Sequence, residues 1–161
     1  MTTGATLPGT LTLRPADPAD AGAIERLLAS VDLPVDGVGD LIREHAQDFV
    51  VADDPESPGE LAAVAGLEVR GAHALLRSVA VRPRWRKHGL GDQLVRRLVC
   101  EAEARGIRAM YLLTMTAERY FPRFGFAPID RTDVPDAIAA TEEFRSTCPA
   151  SAVAMCRTVG A

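Results

Sequence analysis

The sequence predicts an α/β (α+β) protein, a mixed central β-sheet of about six to seven strands flanked by helices. Three observations carry that expectation. Apolar, β-branched runs at 49–52, 61–69 and 74–81 are separated by turn-forming stretches, the pattern of antiparallel hairpins. A long stretch from about Gly91 to Arg105 puts Leu94, Val95, Leu98, Val99 and Ala102 on one helical face. Another apolar run, Ala109–Thr114, follows that helix, so strand, helix and strand alternate and the sheet is mixed.

Taken in order, Thr10–Arg14 alternates apolar and polar residues and is the first expected strand. Asp17-Pro18 caps a helix over 19–31, with Ile24, Leu27 and Leu28 on its inner face. Leu33–Gly37 breaks it, and a short helix runs over 38–46. Phe49–Ala52 is strand two, and Asp53–Gly59 is a turn loaded with breakers. Leu61–Val69 is strand three, joined through 70–73 to strand four, Ala74–Val81. Arg77 and Ser78 sit in strand four amid Leu75, Leu76, Val79 and Val81. Such a pair needs partners or a functional cleft, since an unpaired buried charge is costly; an outward salt bridge is the other reading of Arg77. Thr116–Phe126 carries the stripe of a short helix closed by Gly125. Pro135-Asp136 starts another short helix, 147–151 turns, and Ala152–Arg157 is the last strand.

With 161 residues, 47% hydrophobic and 25% charged, the chain reads as one soluble globular domain over 1–161. No run of 18 apolar residues occurs, and Met1–Thr10 lacks the basic and apolar regions of a secretory signal, which points to a cytoplasmic protein with no membrane partner. A net charge of −4 argues against nucleic acid as a partner. The cysteines, Cys100, Cys148 and Cys156, are odd in number and lack C-x-x-C spacing, so neither a disulfide framework nor a metal site is expected. Cys100 reads as a packed residue of the long helix, and an approach of Cys148 to Cys156 across a turn leaves a soft-metal role as a minor alternative.

One corner stands apart. Arg82, Arg84, Arg86, Lys87 and His88 precede Gly89-Leu90-Gly91-Asp92, and Arg86–Gly91 reads R-x-x-G-x-G. First-turn helix amides lack partners inside the helix, and aligned peptide dipoles make that end positive. Glycines at 89 and 91 let phosphate oxygens approach those amides, with Arg84, Arg86 and Lys87 adding charge. Each such contact is worth only about 0.3–1 kcal/mol, so a tight site needs several. A G-x-x-x-x-G-K-[ST] phosphate loop is absent, and the mid-chain strand and glycine spacing do not fit a dinucleotide fingerprint.

Strand, R-x-x-G-x-G and long amphipathic helix resemble the acetyl-CoA pyrophosphate loop of the GCN5-related N-acetyltransferases, the GNAT family. The family often shows N-x-x-A-x-x-[LF]-Y-x-x-x-G-F downstream. Anchored on Gly125-Phe126, Thr114 falls on its Asn, Ala117 on its Ala, Tyr120 on the apolar position and Phe121 where the usual Tyr stands. The match covers about residues 10–158. Leu75–Val81, Tyr111–Glu118 and the tail from Ile129 look like one subgroup, the arsenic-resistance-associated N-acetyltransferases, akin to acetyltransferase domains of N-acetylglutamate synthases.

The resemblance implies a GNAT fold and acetyl-CoA (coenzyme A) as co-substrate. It implies cofactor contacts from the main chain of Val79, Ala80 and Val81, from Arg86, Lys87, His88, Gly89, Leu90, Gly91 and Asp92, and from Thr114 and Phe121. Arg77, Ser78 and Glu142 would lie toward the acceptor, an amine of a small amino-acid-like molecule or an arsenical or phosphinic analogue of glutamate. Leu33, Leu41 and His45 belong to the helical pair that flanks the acceptor cleft in the family, with plain packing as their other reading. Glu68 is the first candidate base, with His73 and Glu142 behind it. The family's usual acid is the Tyr that Phe121 replaces, and Phe121 cannot donate a proton; the adjacent Tyr120, about 100° around a helix from it, is the substitute candidate acid, with packing as its other reading, and direct transfer by positioning without a dedicated acid is a second route. Attack through Cys148 lacks a recognisable base. Other readings are an acetyl-CoA-binding sensor or interaction module without turnover, and an acetyltransferase acting on proteins. Trp85 offers a stacking surface or ordinary packing, and a homodimer stays open as the assembly.

Overall fold

The computed structural model describes residues 11–147 and 151–158. In chain order the elements are β1 (Leu13–Pro15), α1 (Ala21–Ser30), α2 (Val38–His45), β2 (Phe49–Asp53), β3 (Leu61–Arg70), β4 (His73–Val81), α3 (Leu90–Ala104), β5 (Ala109–Thr114), β6 (Ala127–Ile129), α4 (Asp136–Ala139) and β7 (Val153–Thr158). The strands form one seven-stranded sheet in the order β1-β2-β3-β4-β5-β7-β6. β1, β2 and β3 pair antiparallel, β4 runs parallel to β5, and β7 lies antiparallel to both β5 and β6. The mixed sheet follows from the linkers. Gly71, at φ 64°, turns β3 back into β4, whereas a parallel partner for β4 requires a crossover, and α3 is that crossover.

Backbone contacts divide the chain into two units, residues 1–66 with 78–95, and 67–77 with 96–161. In the first, Ile24, Leu27 and Leu28 of α1 and Val38 and Ile42 of α2 are fully buried with Phe49, Val51, Leu61 and Val64 of the sheet. Each such side chain contributes roughly 1.5–3 kcal/mol. Gly66 faces Phe49 across β2 and β3, and a Cβ there would stand 2.2 Å from the ring, so only glycine fits under it. Leu33 and Leu41 pack against this core, and His45 is exposed. In the second unit Leu75, Ala109, Tyr111, Val134, Ile138 and Ala154 form the core, with Leu113, Ile129, Phe144 and Cys156 partly buried against it.

Several expected elements are corrected. The first helix begins with a separate 3-10 turn, Pro18–Asp20, whose capping box joins Asp17 and Asp20. Thr116–Phe126 is not an α-helix: it contains one 3-10 turn, Phe121–Phe124, closed by Gly125 at φ 92°. Pro122 lacks the N–H that an α-helix needs there, and its ring crowds the carbonyl four residues back. β6 was hidden by Pro128 and by its three-residue length. Cys100 is exposed, because it lies about 100° around the helix from Val99, off the inward stripe that continues at Ala102. Thr10, from which the first strand was expected to start, and Cys148, with the turn through 149–150, lie outside the described residues. Cys156 faces Tyr111 across β5 and β7, and burial pushes its thiol up. Among the described residues no helix is long and apolar enough to cross a membrane, and no group of three or more His, Cys, Asp or Glu side chains converges.

Candidate functional site

The R-x-x-G-x-G corner is a sequence of tight turns that ends in a helix. Leaving β4, the amide of Arg82 donates to the Ala62 carbonyl at 2.7 Å, and Pro83–Trp85 makes a 3-10 turn. Lys87 at φ 70° and Gly89 at φ 79° then place two left-handed residues within three positions. Asparagine and glycine tolerate that region better than lysine, and such residues gather at ligand clamps. The Gly89 carbonyl accepts from Gln93 N at 3.0 Å, which makes Gly89 the residue before the first turn of α3. The amides of Leu90 and Gly91 are therefore among those a helix leaves without internal partners. Residues 86–89 are exposed, while Leu90 is buried and pins the start of the helix. A Cβ on Gly89 would meet nothing nearer than Gln93 Nε2 at 3.9 Å, so the backbone angle, not packing, demands glycine there. Left-handed turns feeding a helix N-terminus aim consecutive amides at one point, the geometry of an anion nest.

The basic residues divide in use. Arg84, expected beside the amides, instead donates to Asp54 Oδ2 at 2.7 Å and to Ser57 Oγ at 2.6 Å. Arg82 donates to the Leu61 carbonyl at 3.0 Å and lies 3.6 Å from Asp54. Arg86 bonds the Val81 carbonyl through Nε at 3.0 Å, and Lys87 and His88 are exposed, the His88 ring 5.9 Å from that of Trp85. Trp85 is 8% exposed, which makes it a packing residue and not a stacking platform.

On β4, Ser78 adopts φ 57°, an uncommon angle for a non-glycine residue within a strand. Val79 and Val81 are half-buried and Ala80 is buried against the first core. The register of β4 with β5 runs over His73, Ala74 and Leu75. His73 is half-buried, with its ring edge-on to Tyr111 at 5.8 Å.

Arg77 points inward, contrary to the outward reading. Its side chain is 2% exposed and donates through Nη1 to Glu68 Oε1 at 2.8 Å, with Nη2 3.7 Å from Glu143 Oε1. The other oxygen of Glu68 takes Arg70. Glu68, the first candidate base, thus has both oxygens on guanidinium groups. Glu142 is exposed, and its neighbour Glu143 is the buried one. Burial pushes the Glu143 carboxyl up; Arg77 pulls it back in part, and Glu68 adds to the rise. Sequence reasoning missed Glu143 for a geometric reason. Ile138 and Thr141 are buried three residues apart, and a π-helical segment, Glu143–Thr147, then shifts the phase.

Beyond β5, the Thr114 hydroxyl accepts from the Ala117 amide at 2.9 Å. Phe121 is buried, edge-on to Phe126 at 6.0 Å. The half-buried Tyr120 ring lies 5.1 Å from Phe121 and 5.3 Å from Phe124, with the Arg123 guanidinium 4.6 Å over its face. That ring is used as an aromatic platform. A surface cavity of about 420 Å³ beside α3, lined by Arg96, Cys100, Arg123, Phe124 and Arg157 among others, includes none of the expected site residues.

The Acetyltransferase (GNAT) family model matches residues 9–126. An amino-acid acetyltransferase of Aeromonas salmonicida is 31% identical over 128 residues, 74% of this chain and 29% of its own length. An uncharacterised N-acetyltransferase of Chlorobaculum tepidum is 30% identical over 129 residues, 78% of this chain and 81% of that protein. The chain thus spans less than a third of the Aeromonas relative and most of the Chlorobaculum one. Among solved structures, Rv2747 of Mycobacterium tuberculosis, in complex with CoA and NLQ, shares the fold at a TM-score of 0.73 and 24% identity, over 92% of this chain and 99% of that one. The chain belongs to the GNAT acetyltransferase family.

Proposed function

We propose that the chain is an acetyl-CoA-dependent N-acetyltransferase that transfers the acetyl group directly to the amine of a small amino-acid-like acceptor. One observation carries the reading: Lys87 and Gly89, both left-handed, deliver exposed backbone amides into the first turn of α3. In this reading the amides after residue 86, over 87–91, hold the diphosphate of coenzyme A, with Arg86 and Lys87 supplying charge. The main chain of Val79, Ala80 and Val81 takes the pantetheine arm, and Ser78, at φ 57°, marks where the strand changes direction beside it. The amine nitrogen attacks the thioester carbon and gives up one proton to water; the C–S bond breaks, and sulfur leaves as a thiolate. A coenzyme A thiolate is a fair leaving group, and fixing both reactants supplies much of the acceleration. Phe121 cannot protonate it, and Tyr120 is held in an aromatic stack, which favours positioning over a dedicated acid.

Arg77 is the proposed anchor for an acceptor carboxylate. Its contact with Glu143, at 3.7 Å, is looser than the one with Glu68, at 2.8 Å, and is the one an incoming carboxylate would replace. Glu68 then orients Arg77 and takes no proton. Relatives named amino-acid acetyltransferases support this acceptor class, and the three stretches that resemble the arsenic-resistance subgroup make arsenical and phosphinic glutamate analogues the first compounds to try. The test is calorimetric titration with coenzyme A, then thiol release from acetyl-CoA against a panel of such amines. Release with at least one amine is expected. Tight binding without release from any amine would favour the sensor reading, for which the missing tyrosine at position 121 speaks; absence of binding would overturn both.

A further inference from the structure

Asp54 is a buried charge that this mechanism leaves unused. It sits in the turn between β2 and β3, thirty residues from the loop it touches, and its side chain is 0% exposed. The turn is wound around it. Asp54 Oδ1 accepts from the Glu56 amide at 2.8 Å, the Asp54 carbonyl accepts from Ser57 N at 3.2 Å, and the Asp54 amide donates to the Glu60 carbonyl at 3.1 Å. Its other oxygen takes Arg84 Nη2 at 2.7 Å and has Arg82 Nε at 3.6 Å. Arg82 precedes the 3-10 turn Pro83–Trp85 that leads into the amide nest, and Arg84 lies within that turn. Arg84 also reaches Ser57 Oγ at 2.6 Å and lies 3.6 Å from Glu56, while Arg82 lies 3.9 Å from Glu60, itself 3.1 Å from Arg26 of α1. Burial raises the carboxyl, but Arg84, the Glu56 amide and Trp85 outweigh it and the net shift is downward, so the group is ionised at neutral pH. Trp85 makes no geometric hydrogen bond through its indole N–H among the described residues, and its pull on Asp54 is correspondingly a minor one.

Without this clamp, the exposed segment 86–89 has few other ties. Arg86 N donates to the Pro83 carbonyl at 3.2 Å within the loop, and its Nε reaches the Val81 carbonyl at the end of β4 at 3.0 Å. An amide nest binds by pointing several weak donors at one place, so its affinity depends on how well the loop is held before the ligand arrives. We propose that Asp54 is a positioning residue for the diphosphate of coenzyme A: through Arg84 and Arg82 it fixes the loop whose amides, and not those arginines, touch the phosphates. This rests on the reading of residues 86–91 as the diphosphate loop.

The test compares coenzyme A with pantetheine, which has the thiol arm and lacks the diphosphate. In Asp54→Asn the dissociation constant for coenzyme A should rise about tenfold, while that for pantetheine stays within twofold. Arg84→Gln, which alters a partner that is 45% exposed and spares the buried carboxylate, should reproduce the effect in a folded protein. The double variant should be no worse than the weaker single variant, as expected for two ends of one contact. Unchanged coenzyme A binding in both single variants overturns the clamp, and so does an equal loss for both ligands, which would mean general damage. Gly89→Val separates the two levels. If it weakens coenzyme A binding and Asp54→Asn does not, the clamp alone fails; if Gly89→Val binds normally, the diphosphate reading fails first.

Discussion

Two clusters of arginine and carboxylate groups sit in the two units of this protein, and the charge buried at the centre of each is opposite in sign. Around Asp54, one buried carboxylate is shared by Arg84 and, more distantly, Arg82. Around Arg77, one buried guanidinium is shared by Glu68 and Glu143, with Arg70 reaching Glu68 from a half-exposed position. In the first cluster the buried centre is a carboxylate and it is pulled down; in the second the buried centre is a guanidinium, and the Glu143 carboxyl beside it is pushed up. In the readings proposed above, the first cluster holds a loop and the second leaves a displaceable partner. Contact distance marks the difference, with Arg84 2.7 Å from Asp54 and Arg77 Nη2 3.7 Å from Glu143, because burial penalises every charge and only closely paired ones are repaid.

The largest expected effect tests the second cluster. Arg77→Met would leave two buried carboxylates without their shared cation and should cost about 3–5 kcal/mol, read from urea unfolding at neutral pH. A cost below about 1 kcal/mol would mean that the carboxylates reach water or protonate freely, and the comparison would collapse. Next comes Gly89→Val. The branched side chain must adopt φ 79°, which costs about 1–2 kcal/mol of stability, and its Cβ branches fill the nest. Coenzyme A affinity should fall at least tenfold, roughly 1.4 kcal/mol, in a protein that still unfolds cooperatively.

A pH series sharpens the contrast. A carboxyl raised on folding, such as Glu143, contributes stability that is present below its ordinary value of 4.5 and lost as pH rises through the raised folded value. Glu143→Gln should therefore gain on the parent protein as pH climbs through that interval. Asp54 behaves in the opposite sense. Its contribution is present above the ordinary 3.8 and lost as pH falls through the depressed folded value, so Asp54→Asn should lose ground at neutral pH and draw level in acid. Parallel stability curves for both variants would contradict the assignment. The smallest effect is Tyr120→Phe, whose ring stacking survives the change; turnover should stay within about threefold, and a hundredfold loss would reveal a proton donor at that hydroxyl.

Much of the fold was legible because its signals are local. The stripe Leu94, Val95, Leu98, Val99, Ala102 is buried throughout, and Ala109–Thr114 is a strand with the expected ends. The glycine at 89 was legible for the same reason: its φ is a property of one residue. The exceptions are places where one residue breaks a pattern that its neighbours advertise. Pro122 turns a helical stripe into a 3-10 turn, and Pro128 sits inside a strand. Arg84 was misjudged because the carboxylate that claims it is thirty positions away, and Glu142 was preferred to Glu143 because the π-helical phase shift leaves no trace in the periodicity.

The sequence by itself determined the family, the order of most elements and the loop that meets the helix, since these depend on spacing along the chain. Only the tertiary structure decided what each charge is for. Arg84 pairs with Asp54 where it was expected beside the amides, Glu68 pairs with Arg77, and Glu143 takes the inward place, because a charge finds its partner across the fold, at distances that no window of sequence contains.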